Sequence, residues 1–440
     1  MNFKKILIII LVIITIASIF GFHDMKKPEH SAYVLAIGLD KAENDKILLT
    51  LSCLPPNILN KDTGVQDEED RLYNTSIVAS SLEEGVALAH NYMSTNLNFG
   101  HVRAVIFSEE IARGGISKYL ISLTDNKMND TNMNIYISKC NANKFIENIS
   151  PKLETNPVLY YDIIEHAYKM SAATAPIKLI DFLRDLYDDV KTPMATYCDI
   201  VNEDSNKEKS YVEDSENKNS LNPSYLPGNL PEKSKAKTQM LGLAVFKEDK
   251  MVGSLNNIET SNHLLIKNDV EFMYRSINAP ISKINLDKAK EDTKNKLRDK
   301  ENPENRIQKQ NLTSIQITQT RKPDIKVNID NDVPIININI PLNYVVVNTN
   351  TYSFNYLDKK YMKKLEDTIK TNLEESMYKY LQLTQKEIGL DIDSFAKYLK
   401  EKFLTSQKYE SYNWSEKYKD AKINVNFDLE CRTPGLYKQR

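Results

Sequence analysis

Hydrophobic positions change their period several times along the chain, and each change marks an element. Behind Lys4 and Lys5 an uncharged run extends from Ile6 to Phe22. As a helix it spans about 25 Å at roughly 1.5 Å per residue, the lower limit for crossing a hydrocarbon core. Residues 1–22 therefore read as a membrane anchor or signal-like helix. Ile19-Phe20-Gly21-Phe22 lacks the small-residue pattern of a cleavage site, which favours a retained anchor. With the lysines held in the cytoplasm, the remainder lies on the extracytoplasmic side.

Strand-like runs follow. Tyr33 to Leu39 and Ile47 to Leu51 flank the turn-forming Asp40 to Lys46 and predict a hairpin. Ser81 and Glu84 form a capping box ahead of Leu82, Val86, Ala89 and Met93 at helical spacing. Val102 to Phe107 predicts a strand, and Ser108 an N-cap for a helix with Glu109 and Glu110 in its first turn. Ile116, Tyr119, Leu120 and Leu123 continue a helical face, Ile135 to Ser138 returns as a strand, and Leu179 to Val190 predicts another helix. Further on, Met240 to Phe246 and Met251 to Leu255 predict a second hairpin around Lys247 to Lys250. Runs at 315–317, 325–329 and 335–340 alternate with period two, as in an antiparallel sheet wet on one face. Asp358 opens a long helix with the stripe Tyr361, Leu365, Ile369, Leu373, Met377 and Leu381, ending near Ile388 with Gly389 as its stop. A helix around Phe395, Leu399 and Phe403 precedes a last strand from Lys422 to Cys431.

Two stretches cannot build a core. Residues 201–237 are rich in charge and amides and carry three prolines, so they read as a disordered linker; 287–311 reads as a charged flexible insert. The expected organisation is an N-terminal α/β domain over 23–200 and a C-terminal α+β region over 238–440. The fold class is α+β and multi-domain, with mixed and antiparallel sheets flanked by helices. Neither hairpin is stable alone in water, and the 33–51 hairpin is expected to share a sheet with 240–255.

Composition removes function classes. With 58 basic and 60 acidic side chains the net charge is −2, without the basic excess a nucleic-acid binder needs. A mean hydropathy of −0.48 leaves room for one membrane span. The 12 glycines include no G-x-G pair, no Gly-Lys and no G-x-S-x-G, which excludes the dinucleotide fingerprint, the P-loop and the nucleophile elbow. No His is followed by Glu, so H-E-x-x-H is absent. Cys53, Cys140, Cys198 and Cys431 lack metal or redox spacing and read as small buried hydrophobes.

No catalytic residue, metal ligand or cofactor-binding residue is assigned. Glu109 and Glu110 are adjacent on a helix and point apart, and a helix N-terminus accounts for both. His23, His30, His90, His101, His166 and His263 have no partner at useful spacing. Tyr409, Tyr412, Trp414 and Tyr418 suit core packing better than a sugar-stacking surface. The Tyr361 to Leu381 stripe must likewise cover the adjacent sheet.

The order of these features resembles the Ger(x)C family, the C subunits of spore germinant receptors. The resemblance rests on Ala36-Ile37-Gly38-Leu39-Asp40-Lys41, on Phe99 to Ala112, on Gly242 to Lys247 with Val252-Gly253, and on Arg432-Thr433-Pro434-Gly435. It implies a non-enzymatic receptor subunit needed for spore germination, working in the spore inner membrane with a helical-domain A subunit and a transporter-like B subunit. Such subunits are lipoproteins with a lipidated cysteine in a C-W-D-like motif. Here Phe22-His23-Asp24 stands in that place, so lipidation is expected to be absent and the apolar helix to serve as the tether. The glycines expected after Asp391 are replaced by Asp393-Ser394-Phe395-Ala396. An extracytoplasmic solute-binding protein and a cell-envelope hydrolase are the alternatives; neither paired lobes nor a nucleophile arrangement is evident for them.

Overall fold

The computed structural model describes residues 31–54, 72–93, 95–125, 131–149, 160–161, 168–201, 221–231, 237–279, 312–349 and 358–432. The anchor reading of 1–22 and the charged insert at 287–311 lie outside these residues, as do His23, His30, His166 and Thr433 to Gly435.

The first hairpin is β1 (Ser31–Lys41) and β2 (Ile47–Leu54), turned by Asn44 and Asp45, both at φ 58°. Asn and Asp tolerate that left-handed geometry. An edge strand β3 (Tyr73–Ala79) leads through α1 (Leu82–Tyr92) to the short β4 (Asn96–Asn98) and to β5 (Ala104–Ser108). Then come α2 (Glu109–Gly114), α3 (Ser117–Asp125), β6 (Asn134–Ser138), α4 (Ala142–Asn148), α5 (Leu179–Leu186) and β7 (Met194–Ile200). The second hairpin, β8 (Thr238–Lys247) and β9 (Lys250–Leu255), completes a nine-stranded sheet of order β3-β2-β1-β5-β6-β7-β8-β9, with β4 beside β1. β1, β5, β6 and β7 are parallel, and the flanking strands antiparallel. Both hairpins therefore lie in one sheet, and the sequence boundary at 238 falls between two hydrogen-bonded strands.

One face of this sheet packs Ile37, Leu39, Val105, Phe107, Ile135 and Ile137 under α1, α2, α3 and α5. The other packs Leu35, Ile106 and Tyr136 against Phe145 and Ile146 of α4.

The chain then crosses through α6 (Asn257–Lys267) to β10 (Met273–Asn278), β11 (Leu312–Thr318), β12 (Asp324–Asp330) and β13 (Val333–Thr349). The long helix α7 (Lys359–Gln382) follows, then α8 (Ala396–Lys400), α9 (Ser406–Tyr412), α10 (Trp414–Tyr418) and β14 (Lys422–Cys431). The second sheet has the order β10-β11-β13-β12 and is antiparallel, except that β14 runs parallel to β13. A parallel neighbour needs a crossover, and α7 to α10 supply it. The α7 stripe is buried from Tyr361 to Leu381 as expected, against Ile336, Ile338, Val425 and Phe427. This core also takes Leu243, Val245 and Leu255 from the first sheet, so apolar packing is continuous across the two sheets.

Local details depart from the sequence reading. Asp358 caps α7 through the Lys360 and Tyr361 N–H groups, but the last turn, Leu383–Ile388, is π-helical before Gly389 at φ 70°. There the Thr384 hydroxyl donates to the Leu381 carbonyl. Such a local bond competes with the regular ladder. The helix from Leu179 stops at Leu186. Glu84 reaches back to the Ser80 N–H (2.6 Å), one residue before the Ser81 N-cap. Ser108 occupies its N-cap position without a side-chain cap bond.

The linker reading also needs correction at 221–231. Asn222 accepts from the Ser276 N–H (2.8 Å) and donates to the Ser276 carbonyl (2.9 Å), pairing the β10 edge as a strand would. The Tyr225 N–H donates to Asn257 on α6 (2.7 Å), and Gln239 on β8 accepts from the Gly228 N–H (2.9 Å). Three side-chain amides thus fasten a segment whose composition suggested only solvation.

Candidate functional site

Two places collect functional-type side chains. The first is the carboxyl end of the parallel strands, where open α/β sheets receive ligands. Gly38 lets α4 lie close on β1: an added Cβ would stand 2.6 Å from Ile146 Cδ1. Asp40 then accepts from the Ala142 N–H (2.7 Å) and the Asn143 N–H (2.8 Å). Asn141 at the N-cap makes no side-chain cap bond, so Asp40 caps α4 from a distant strand. Burial pushes the Asp40 carboxyl above its usual range, against the downward pull of those N–H groups. The helix N-terminus that would draw an anion is filled by the chain's own carboxylate.

Nearby, Glu109 accepts from the Tyr197 hydroxyl (2.6 Å) and pairs with Arg113 (2.6 Å). Burial first, then Glu109, raises Tyr197 well above a normal phenol. Glu110 points away to Lys41 (3.1 Å), with both side chains exposed. The adjacent carboxylates are committed to different partners and form no dyad. His101 stacks edge-on against Tyr33, with centroids 5.2 Å apart.

The second place lies inside the C-terminal core. Asn256 and Glu259 make a capping box that starts α6, and Thr260 to Ile266 are all buried. This carries His263 to Asp393, Nδ1 to Oδ1 at 2.8 Å. The Tyr380 hydroxyl donates to Asp393 Oδ2 (3.0 Å) and stands 3.3 Å from His263 Nδ1. Lys267 donates to the Asp393 carbonyl (3.0 Å) and the Ser394 hydroxyl (3.2 Å). Burial lowers the Lys267 ammonium, partly offset by Asp393 and Asp391. Burial likewise brings Arg275, bonded to Ser261, down to about 10.

Asp391 holds the loop between α7 and α8. It accepts from the Phe395 N–H (2.9 Å), the Ala396 N–H (2.7 Å) and the Trp414 indole (2.9 Å). Enclosure pushes its carboxyl up to about 6, which these donors only partly counter. Ser394 in the same loop sits at φ 61°, in the left-handed region that favours the missing glycine. His263, read as partnerless in the sequence, is thus partnered across 130 residues. The Asn256-x-x-Glu259 box was the signal that would have placed its helix.

This cluster has the residue types of acid–base chemistry but not its access. His263 is 3% and Asp393 4% exposed, and neither surface groove, of about 410 and 420 Å³, is lined by any of its members. Among the described residues no group of His, Cys, Asp or Glu has the makings of a metal site. The arrangement ties α6, which joins the two sheets, to α7, α8 and α10.

A pH effect follows from Asp391. Its folded value of about 6 exceeds the ordinary 3.8, so between these limits the folded chain holds a proton the unfolded chain lacks. Stability from this group therefore rises as pH falls. The urea midpoint of the unsubstituted chain, relative to Asp391→Asn, should increase from about pH 7 to about pH 5; a constant difference contradicts the assignment.

The family model described as "Spore germination protein N-terminal domain" matches residues 24–200, and "Spore germination B3/ GerAC like, C-terminal" matches 241–435. Together they take in most of the chain. The chain belongs to the Ger(x)C family of spore germination proteins. A crystal structure of the GerBC protein is similar at 12% identity, with a TM-score of 0.48, over 90% of this chain and 96% of that one. No curated protein matches.

In this Ger(x)C chain the stretches that carried the resemblance have structural duties. Gly38 and Asp40 seat α4. In the Phe99 to Ala112 run, Val102, Val105, Phe107 and Ile111 are core, and the Arg103 N–H donates to the Leu35 carbonyl (2.8 Å). Tyr409, Trp414 and Tyr418 are buried, while Tyr412 lines a surface groove. Cys53 and Cys198 are buried, and Cys140 and Cys431 half-buried; all four are free. No described helix is long and apolar enough to cross a membrane.

Proposed function

We propose that this chain is a membrane-tethered, non-catalytic subunit of a nutrient germinant receptor, acting with an A and a B subunit on the extracytoplasmic side of the spore inner membrane. Family membership of both halves carries the reading. Three features support its finer points. The apolar run from Ile6 to Phe22 behind Lys4 and Lys5 suits a tether, with Phe22 where a lipidated cysteine would stand. Asp40, Glu109 and Glu110 are each spent on internal partners. The His263–Asp393–Tyr380 cluster is sealed and braces the fold.

Deleting the gene in spores without redundant receptors should abolish or slow germination with one nutrient class and leave vegetative growth unchanged. Normal germination with every nutrient would refute the proposal.

A further inference from the structure

The turn between α8 and α9 carries Leu404, which at 90% exposure protrudes more than any other large hydrophobic residue among those described. Its neighbour Phe403 lies 5.6 Å from the Tyr412 ring. Beside them runs the groove of about 420 Å³ lined by Asp332, Phe403, Lys408, Ser411, Tyr412 and Lys417. Lys417 is paired with Asp332, and the Tyr412 hydroxyl donates to the Asp332 carbonyl (3.3 Å). Between Phe395 and Tyr412 the chain carries Lys397, Lys400, Lys402 and Lys408 against Glu401 and Glu410, an excess of positive charge in a chain whose net charge is −2. Lys400 approaches Asp189 at 3.8 Å. Lys402 donates to the neutral Asn328 amide (2.6 Å) and has no ion pair among the described residues. An apolar apex over aromatic rings and lysine stems is the makeup of a surface that sits at a lipid headgroup boundary.

Its place in the fold agrees. Because β1 and β7 belong to one parallel set, Ser31 at the start of β1 and Met194 at the start of β7 lie at the same end of the first sheet. The residues just before β7 hold the α8 region there: Thr192 donates to the Asp391 carbonyl (3.1 Å), and Asp189 meets Lys400. The apex is thus fastened to the end by which the chain enters from its apolar run. Eight residues separate Phe22 from Ser31, a reach of at most about 28 Å.

We infer that the α8–α9 turn is a second membrane contact, in which Leu404 enters the acyl boundary of an anionic phospholipid surface while Lys402 and Lys408 meet its phosphates. The inference deepens the tethered-subunit reading and rests on it for the nearness of a bilayer.

The test uses the full chain with Leu404→Trp, an exposed site whose substitution leaves the core intact, reconstituted into vesicles carrying acyl-brominated phosphatidylcholine. With about 30% phosphatidylglycerol present, the added tryptophan should be quenched about twofold beyond the Trp414 signal of the unsubstituted chain. Each lysine near an anionic surface favours it about fivefold, so adding Lys402→Gln and Lys408→Gln should return quenching to the level in phosphatidylcholine alone. Quenching absent with the anionic lipid, or equal in both lipids, overturns the inference, and in that case a soluble acidic protein is the partner left for the lysines. Flotation with phosphatidylcholine vesicles reads the tether separately: a chain that floats without quenching keeps the tether and loses the contact, and one that is quenched by anionic vesicles without floating on neutral ones does the reverse.

Discussion

Replacing Gly242 with alanine should destabilise the chain by about 3 kcal/mol or more, because two faults coincide at one position. Gly242 has φ 81°, where a side chain costs roughly 1–2 kcal/mol. A Cβ there would also overlap the Leu255 carbonyl oxygen on the neighbouring strand, and backbone cannot step aside as a side chain can. Leu255 is fully buried in the core shared by the two sheets, and the Gly242 N–H and carbonyl are both engaged, by Ala173 (2.8 Å) and Thr174 (3.2 Å). Gly253 is the control: the three atoms nearest a Cβ there all belong to the Ile388 side chain, the closest at 3.2 Å, and its alanine variant should lose under about 1 kcal/mol. Urea unfolding followed by far-ultraviolet dichroism separates the two. Equal midpoints would show that β8 does not hold the positive φ.

Asp391→Ala is the second large effect. It strands the Phe395 and Ala396 N–H groups and the Trp414 indole without an acceptor. An unsatisfied buried donor costs about 1–3 kcal/mol, and since the three share one loop the total should reach about 3–5 kcal/mol rather than the sum. Asp391→Asn keeps one acceptor oxygen and should fall between. Trp414 is the chain's one tryptophan, so its fluorescence reports the loop directly. Unchanged emission with a loss below about 1 kcal/mol would mean that the donors find other partners.

Elements with a long regular pattern were legible in the sequence. The α7 stripe and the β13 alternation follow from periods of 3.6 and 2 that their surroundings do not override, and the two hairpins, apolar on both faces, from short apolar runs on either side of turn-forming residues. Two elements buried on both sides were not. α6 is buried over seven consecutive residues, including Asn262 and His263, so it shows no polar face to count from. β7 is buried on both faces, and its Thr196, Cys198 and Asp199 break any hydrophobic run. The site was the least legible part. Asp40 finds the start of α4 about a hundred residues away, and His263 finds Asp393 at 130; such pairings are made by topology, which local spacing does not encode. The 221–231 strap shows the converse, a polar composition that orders because Asn222, Asn257 and Gln239 bind backbone groups.

The family boundary near residue 241 falls inside β8, whose partner β7 belongs to the first half and pairs with it from Met194 to Ile200. Cutting there leaves a row of unpaired amides on each fragment and opens the shared core at Leu243 and Val245. The halves are not interchangeable modules. Recombination that exchanges one half between relatives must carry along a β7 and a β8 that already fit each other, so these two strands are expected to change in concert over evolutionary time, whatever each receptor senses.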